Sequence, residues 1–424
     1  MYVFYSFILF LALFIYIPLY FVRMRIIRGE NLYLRDRLGW KLALGDEQKN
    51  SLWIHAVSVG EVLSLQNLIK MIKEKHPEWI IHFSTLTNTG IRVAKERMKE
   101  VDHIFFAPLD FGIVVKKFFK SLKPDIFILA ESEFWPNILK EAHKQTKGVL
   151  LINGRISERS ARRYRAVRIC TRKVLKNITH ILVQTEMDKE RLVKMGVNPT
   201  LIKVAGNLKT EVMPPPLSEK EILKLKDDLG IGRMKKVIVA GSTRKGEEEK
   251  LLRAYAEARK IGKNILLIIA PRHPRRADEI TRVSQHFGLK VERKSSGIWR
   301  KDWDVFILDT IGELSTFYAL SDIAFVGGSL IPWGGHNILE PAFYKKPVFF
   351  GPHMENFSFL AQRFLETGAA QVVNEEKDLM DMFLFKNQIS LDEMGQKAND
   401  ILASLQGSTE KTLQAIESLM EKAY

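Results

Sequence analysis

The chain has 424 residues, 46% of them hydrophobic, and 65 Lys plus Arg against 49 Asp plus Glu, a formal net charge of +16. That length is too great for one ordinary core and suits two domains, while the single cysteine, Cys170, excludes an intramolecular disulfide and fits a reducing compartment. The positive excess attracts anionic lipid, nucleic acid or phosphorylated substrates without choosing among them.

Residues 2–22, YVFYSFILFLALFIYIPLYFV, carry no charge and are about as long as a bilayer core requires. Arg23, Arg25 and Arg28 follow at once, which places the rest of the chain on the cytoplasmic side. Tyr2, Tyr5, Tyr16 and Tyr20 sit near the two ends, as interfacial rings do. A cleavable signal would carry its charges before the apolar stretch and a small-residue site after it, and neither is present. The segment predicts an anchor over residues 1–24; Pro18 leaves open whether it crosses fully or embeds deeply.

From Ser51 onward, short Val-, Ile- and Phe-rich runs alternate with amphipathic stretches. The runs Leu52–Val57, Ile80–Ser84, Asp125–Ala130, Val149–Asn153 and Ile181–Thr185 read as strands, and Val62–Lys75 reads as a helix. Alternation of this kind predicts a parallel sheet covered by helices on both sides. A second series runs through Val237–Gly241, Ile265–Ala270, Val305–Asp309, Ile323–Gly327 and Pro347–Gly351. Between the two stands Val212-Met213-Pro214-Pro215-Pro216-Leu217, a stiff connector. The expected division is a first Rossmann-like domain over 25–211, a linker over 212–217 and a second Rossmann-like domain over 218–424. The amphipathic stretch Thr409–Lys422 could return to the first domain. Two such halves suggest a cleft with ligands beyond the carboxyl ends of the strands.

Candidate chemistry clusters at those strand ends. In His55-Ala56-Val57-Ser58-Val59-Gly60-Glu61 the Glu61 carboxylate could take a proton from a hydroxyl, although Ser58-x-x-Glu61 is also a capping box. Ala130-Glu131-Ser132-Glu133-Phe134-Trp135-Pro136-Asn137 sets two carboxylates and a large aromatic at a strand exit. Lys209, in Gly206-Asn207-Leu208-Lys209, could neutralise a phosphate or carboxylate. In the second half, Ala240-Gly241-Ser242-Thr243 suits the approach of a phosphate to backbone amides. Ala270-Pro271-Arg272-His273-Pro274, Asp309-Thr310-Ile311-Gly312-Glu313-Leu314 and Val326-Gly327-Gly328-Ser329 close further strands. In Gly334-Gly335-His336-Asn337-Ile338-Leu339-Glu340-Pro341 the glycines admit a ligand, Asn337 can start a helix whose N-terminus holds a phosphate, and Glu340 can accept ribose hydroxyls.

No G-x-G-x-x-G follows the first strand of either half, a P-loop is absent, and no Cys or His spacing predicts a metal. The run Arg155 to Lys176 is very basic; Arg155, Arg159, Arg162 and Arg163 offer a seat for an anionic lipid or a membrane surface. Few aromatics interleave with these arginines, so nucleic acid is not expected. Cys170 has no evident base nearby and reads as a packing residue.

In order and spacing, H-A-V-S-V-G-E, E-S-E-F-W-P-N, N-G-R-I-S-E-R-S, G-N-L-K, P-R-H-P, D-T-I-G-E-L, V-G-G-S and G-G-H-N-I-L-E-P resemble the 3-deoxy-D-manno-octulosonic acid (Kdo) transferases of lipopolysaccharide assembly, over nearly the whole chain. One departure is Arg35-Asp36-Arg37-Leu38-Gly39, where many members carry Glu, which leaves the role of Asp36 open. The resemblance implies the GT-B fold, two Rossmann-like domains facing across a cleft. It implies CMP-Kdo as donor substrate and the lipid A precursor, lipid IVA, as acceptor. It implies no cofactor or metal, and location at the cytoplasmic face of the cell inner membrane. Glu61 maps to the general base, and Glu131 and Lys209 to supports of the transition state. Pro271, Arg272, Ile311, Gly312, Glu313, Asn337, Ile338, Leu339 and Glu340 map to CMP binding. Ser242, His273, Gly335 and His336 are further donor contacts to expect. Two alternatives keep the anchor: a transferase of the same fold using a UDP-sugar on another membrane lipid, and a basic membrane-tethered binding protein without catalysis.

Overall fold

The computed structural model describes residues 1–22, 33–40, 42, 50–211, 216–232, 234–262, 264–386 and 390–421, with backbone alone for 13–22. Arg23, Arg25, Arg28 and most of the proline connector lie outside the described residues. The chain divides into two compact units, Met1–Val212 with Leu405–Tyr424, and Met213–Ser404.

Unit 1 is built on seven parallel strands: β1 Ser51–Ala56, β2 Ile80–Thr85, β3 His103–Phe106, β4 Ile126–Ala130, β5 Gly148–Gly154, β6 His180–Val183 and β7 Ile202–Val204. Their order is β3-β2-β1-β4-β5-β6-β7, so the winding reverses between β1 and β4. Every residue of β1, β4 and β5 is buried, as expected of inner strands covered by helices on both faces. One face packs Leu52, Ile54, Ile126 and Ile128 with Leu68, Ile69 and Ile72. The other packs Trp53, Phe127 and Leu129 with Phe118, Phe119 and Leu139.

Unit 2 repeats the plan with β8 Lys236–Thr243, β9 Ile265–Pro271, β10 Val291–Arg293, β11 Val305–Ile307, β12 Ile323–Val326, β13 Val348–Phe350 and β14 Ala370–Val372. The order is β10-β11-β9-β8-β12-β13-β14, again all parallel, with the reversal between β8 and β12.

The helix expected over residues 2–22 forms. Its first turns touch unit 1: the Tyr2 hydroxyl accepts from Asn177 Nδ2 at 3.0 Å and Ser6 Oγ accepts from Asn137 Nδ2 at 3.1 Å. Val3, Phe4, Phe7 and Phe10 remain exposed. Among the described residues no helix is long and apolar enough to cross a membrane, so the helix is present and a crossing is not shown.

Two expectations need correction, for the stretch 62–75 and for Cys170. The stretch 62–75 is two helices, Val59–Ser64 and Gln66–Lys75, joined through the fully buried Leu65. The basic run breaks at Val167 into Glu158–Ala166 and Arg168–Leu175, where Thr171 Oγ1 donates to the Tyr164 carbonyl at 2.9 Å. Cys170 is exposed and is not a core residue, because its helix turns Thr171, Val174 and Leu175 inward instead.

The final helix, Ser408–Met420, closes unit 1. Glu211 caps its start, accepting from the Ser408 amide at 2.5 Å and the Thr409 amide at 3.1 Å. Leu413, Ile416 and Leu419 enter the core that holds Leu52 and Ile54. Ile416→Ala is expected to lower the stability of unit 1 by ~2–5 kcal/mol, the cost of a cavity in a closed core. A change below ~0.5 kcal/mol in denaturant unfolding would show that the helix is dispensable.

Candidate active site

The reversal in unit 1 sets the ends of β1 and β4 side by side, and each end delivers a carboxylate. After β1 the chain enters the helix Val59–Ser64, with Ser58 as its cap. The Ser58 hydroxyl oxygen accepts from the Glu61 amide at 3.3 Å and its proton goes to Glu61 Oε1 at 2.8 Å. Glu61 Oε2 accepts from the Val57 amide at 2.7 Å. The cap and the carboxylate are thus separate in one turn: the Ser58 side chain caps the helix, and the Glu61 carboxylate is held by two donors. Glu61 is only 6% exposed. Burial pushes its pKa up and the Glu131 charge adds to this, while its two hydrogen bonds and Lys209 pull the other way; the net direction is upward.

Glu131 leaves β4 at φ 58°, a left-handed backbone that a non-glycine residue adopts at a cost. The strain is held by its amide, which donates to the Ile152 carbonyl at 2.9 Å. Lys209 Nζ hydrogen-bonds Glu131 Oε1. Lys209 comes from a short turn, Leu208–Glu211, whose Leu208 amide donates to Asn153 Oδ1 at 3.1 Å. Asn153, at the end of β5, is itself left-handed at φ 52°. Strained non-glycine residues at adjacent strand ends are where function is to be sought. Three sequence-predicted residues, Glu61, Glu131 and Lys209, are thus one electrostatic group.

The neighbouring loop is fastened too. Ser132 Oγ donates to the Arg155 carbonyl at 2.5 Å and accepts from the Arg155 amide at 3.2 Å, tying the E-S-E-F-W-P-N turn to the start of the basic run. Arg159, Arg162 and Arg163 are exposed, and Arg162 pairs with Glu158 at 3.4 Å. Asp110, passed over in the sequence, is buried and accepts from the Asn137 and Ile138 amides at 3.1 and 2.8 Å, which caps the helix Pro136–Gln145. Burial pushes its carboxyl up to about 6.

In unit 2 the ends of β11, β9, β8 and β12 are adjacent and carry most of the expected donor residues. Gly241 is obligatory, since a Cβ there would meet the Tyr318 hydroxyl. Ser242 is left-handed at φ 57°. Pro271 ends β9, and the Arg272 amide donates to the Thr243 carbonyl at 2.9 Å. Ile311 is 87% exposed and Gly312 has φ 91°, while Glu313 accepts from Thr310 Oγ1 and pairs with Lys294 at 3.5 Å. Gly335 has φ 74° and packs where a Cβ would strike Met354. His336 is driven down to about 4 by burial and by the positive charges of Arg244, Arg272 and His273. Burial raises Glu340 despite the Asn337 hydrogen bond and the Arg272 charge. Arg272 thus acts on both His336 and Glu340, which joins the β9 end to the loop after β12.

One expectation changes here. The helix after Asn337 is only Leu339–Phe343, and the Leu339 amide already donates to Asn337 Oδ1 at 3.1 Å. The short helix therefore presents fewer free amides at its start than expected.

Two residues were missed. Glu247 is fully buried and accepts from four amides: Arg244 at 2.9 Å, Gly328 at 2.6 Å, Ser329 at 2.9 Å and Leu330 at 2.8 Å. It clamps the turn after β8 to the loop after β12. The other is Arg244, in that same turn. The Arg-x-x-Glu spacing directly after a strand was the available signal. Among the described residues no group of three His, Cys, Asp or Glu side chains could hold a metal ion.

Strands of this order define a doubly wound, parallel α/β architecture in each unit. Solved structures agree on the fold. The UDP-GlcNAc 2-epimerase from Neisseria meningitidis is 13% identical, covering 87% of this chain and 100% of that one with a TM-score of 0.60. A glycosyltransferase from Rickettsia africae is 13% identical over 89% of this chain and 100% of that one, TM-score 0.57. These likenesses identify two α/β units of the GT-B type.

Residues 33–212 match the family described as 3-deoxy-D-manno-octulosonic-acid transferase (kdotransferase). The 3-deoxy-D-manno-octulosonic acid transferase of Rickettsia bellii is 30% identical, over 89% of both chains. A bifunctional glycosyltransferase/methyltransferase of Fusobacterium nucleatum is 34% identical over 81% of this chain, which spans 53% of that protein's length. The chain belongs to the 3-deoxy-D-manno-octulosonic acid transferase family and is a glycosyltransferase.

Glu247→Ala is expected to strip an acceptor from four buried amides and to lower the stability of unit 2 by roughly 3 kcal/mol or more. Thermal unfolding checks this; a melting temperature within about 2 °C of the parent would show that the clamp is not structural.

Proposed function

We propose that the chain transfers Kdo from CMP-Kdo to a hydroxyl of the lipid A precursor lipid IVA, with inversion at the anomeric carbon and without a metal or other cofactor. The observation that carries this reading is the group Glu61, Glu131 and Lys209, a buried carboxylate of raised pKa beside a strained, lysine-paired one. Glu61 is the base: it takes the proton of the acceptor hydroxyl as that oxygen forms its bond to the anomeric carbon. The bond from that carbon to the CMP phosphate breaks, and its electron pair leaves with CMP. Proton uptake removes one of two neighbouring negative charges, so the burial that raises Glu61 favours the step. Lys209 and Glu131 hold the local field as charge moves, and support the transition state.

In unit 2, Pro271, Arg272, Ile311, Gly312, Glu313, Asn337, Ile338, Leu339 and Glu340 bind CMP, and Ser242, His273, Gly335 and His336 contact the donor. Support comes from their gathering on adjacent strand ends. CMP bears a single phosphate, so its leaving charge is within reach of cationic side chains. We place the enzyme at the cytoplasmic face of the inner membrane, held by the helix Tyr2–Val22. Its exposed Val3, Phe4 and Phe7 support attachment. Arg155, Arg159, Arg162 and Arg163 would meet acceptor phosphates or anionic lipid.

Glu61→Gln keeps an acceptor for the Val57 amide, so the fold and CMP affinity should persist while transfer to lipid IVA falls at least ~100-fold. Mass analysis of products decides, and near-normal turnover rejects Glu61 as base.

A base of raised pKa loses its function as pH falls through that value, so the acid limb of kcat should lie above the ordinary carboxylate range. Glu131→Gln removes a charge that raises Glu61 and should move the limb to lower pH; Lys209→Met removes one that lowers it and should move it to higher pH. Limbs that do not move in either variant would contradict the coupling.

Calorimetry should favour CMP over UMP, and transfer should survive EDTA. A preference for UMP would point to a UDP-sugar donor, and loss of transfer in EDTA would reject the metal-free mechanism.

A further inference from the structure

Arg244 lies outside the residues to which the resemblance assigns a role. It stands two positions beyond the left-handed Ser242, where β8 has just ended. Its guanidinium lies over the indole of Trp333, 4.4 Å from the ring centroid, and its Nε donates to His336 Nε2 at 3.2 Å. Those contacts use the flat face of the group and one donor. Both terminal nitrogens are without a hydrogen bond or ion pair among the described residues.

The surroundings hold this group in place. The Arg244 amide is fixed by the buried Glu247, which also fixes Gly328, Ser329 and Leu330. The Trp333 carbonyl accepts from Asn356 Nδ2 at 3.0 Å, although the residue is 58% exposed. The indole face gives the Arg244 cation a platform. His336 is kept neutral by burial and its cationic neighbours, so it accepts from Arg244 where a protonated ring would repel it.

Two further basic side chains share this corner with Arg244, and the carboxylates near it are Glu247, whose oxygens are held by amides, and Glu340, which feels Arg272. Arg272 and His273 act on the same histidine and have no ion-pair partner among the described residues. The amides of residues 328–330 are taken by Glu247 and that of Gly335 by the Gly328 carbonyl, so these four are not open to an anion.

The geometry points to Arg244, held by Trp333 and His336, as the receptor for the carboxylate of the donor's sugar acid. This rests on the reading of the donor as CMP-Kdo given above. A planar guanidinium meets a planar carboxylate through two parallel hydrogen bonds. CMP alone and neutral nucleotide sugars lack that partner, so Arg244 selects acidic-sugar donors over neutral ones.

The test sets the KM for CMP-Kdo beside the inhibition constant of CMP, in the full chain. Arg244→Ala should raise the KM roughly 10- to 100-fold, the range of a lost charge-assisted hydrogen bond, and leave CMP inhibition within about twofold. Arg244→Lys should recover part of the loss, since the charge returns without the fork. Trp333→Ala should weaken CMP-Kdo by a smaller factor, again sparing CMP. Unchanged CMP inhibition also certifies folding. Equal losses for CMP and CMP-Kdo would make Arg244 a phosphate ligand and overturn the inference; so would an unchanged KM. A parent enzyme that neither binds CMP nor uses CMP-Kdo would instead overturn the function itself, and this inference with it.

Discussion

In a parallel sheet every strand leaves at the same edge, and the rest of this molecule follows from that directional constraint. Residues far apart in sequence meet only if they follow strands that neighbour each other. Glu61 and Glu131 do so because the order of unit 1 reverses between β1 and β4. Arg244, Arg272 and His336 do so because β9, β8 and β12 are consecutive in unit 2. The left-handed backbones of Glu131, Asn153 and Ser242 all stand near these exits: Glu131 directly follows β4, and Asn153 and Ser242 lie at register irregularities in the last residues of β5 and β8.

The two units place buried carboxylates to opposite ends. Glu247 has four amide donors shared between its two oxygens, so it behaves as a rivet between two loops. Glu61 has two donors and a second carboxylate close by, and its environment disfavours its charge. A fully satisfied anion is a structural part, whereas an incompletely satisfied one can exchange a proton. Both follow a strand and both open a helix, so their difference lies in the groups that tertiary packing brings to them.

The inner strands were readable because burial on both faces demands unbroken apolar runs. The runs around Leu52, Ile80, Ile126, Val149, Val237 and Ile265 all became β-strands. Four strands had gone unread: His103–Phe106, Ile202–Val204, Val291–Arg293 and Ala370–Val372. They are the outermost strands of the two sheets. An edge strand pairs on one side only and meets solvent, so it is short and mixed in composition, as in Val291-Glu292-Arg293. Helix breaks at Leu65 and Val167 were equally hidden, since neither is marked by a proline or glycine; Leu65 is fully buried at its break.

Periodicity, turn residues and motif order established the class of fold, the family and the short segments that carry chemistry, because each of these is a local property of the chain. Contact between segments is not local. That Lys209 reaches Glu131, that Ile416 seals the core of the first sheet, and that Glu247 gathers amides from residues eighty positions away were settled by folding. A side chain's partners depend on strand order and register, which no stretch of sequence encodes alone. The clearest case is Arg244: in the sequence it is one basic residue among many, and the fold makes it a guanidinium held against Trp333 with its terminal donors unoccupied among the described residues.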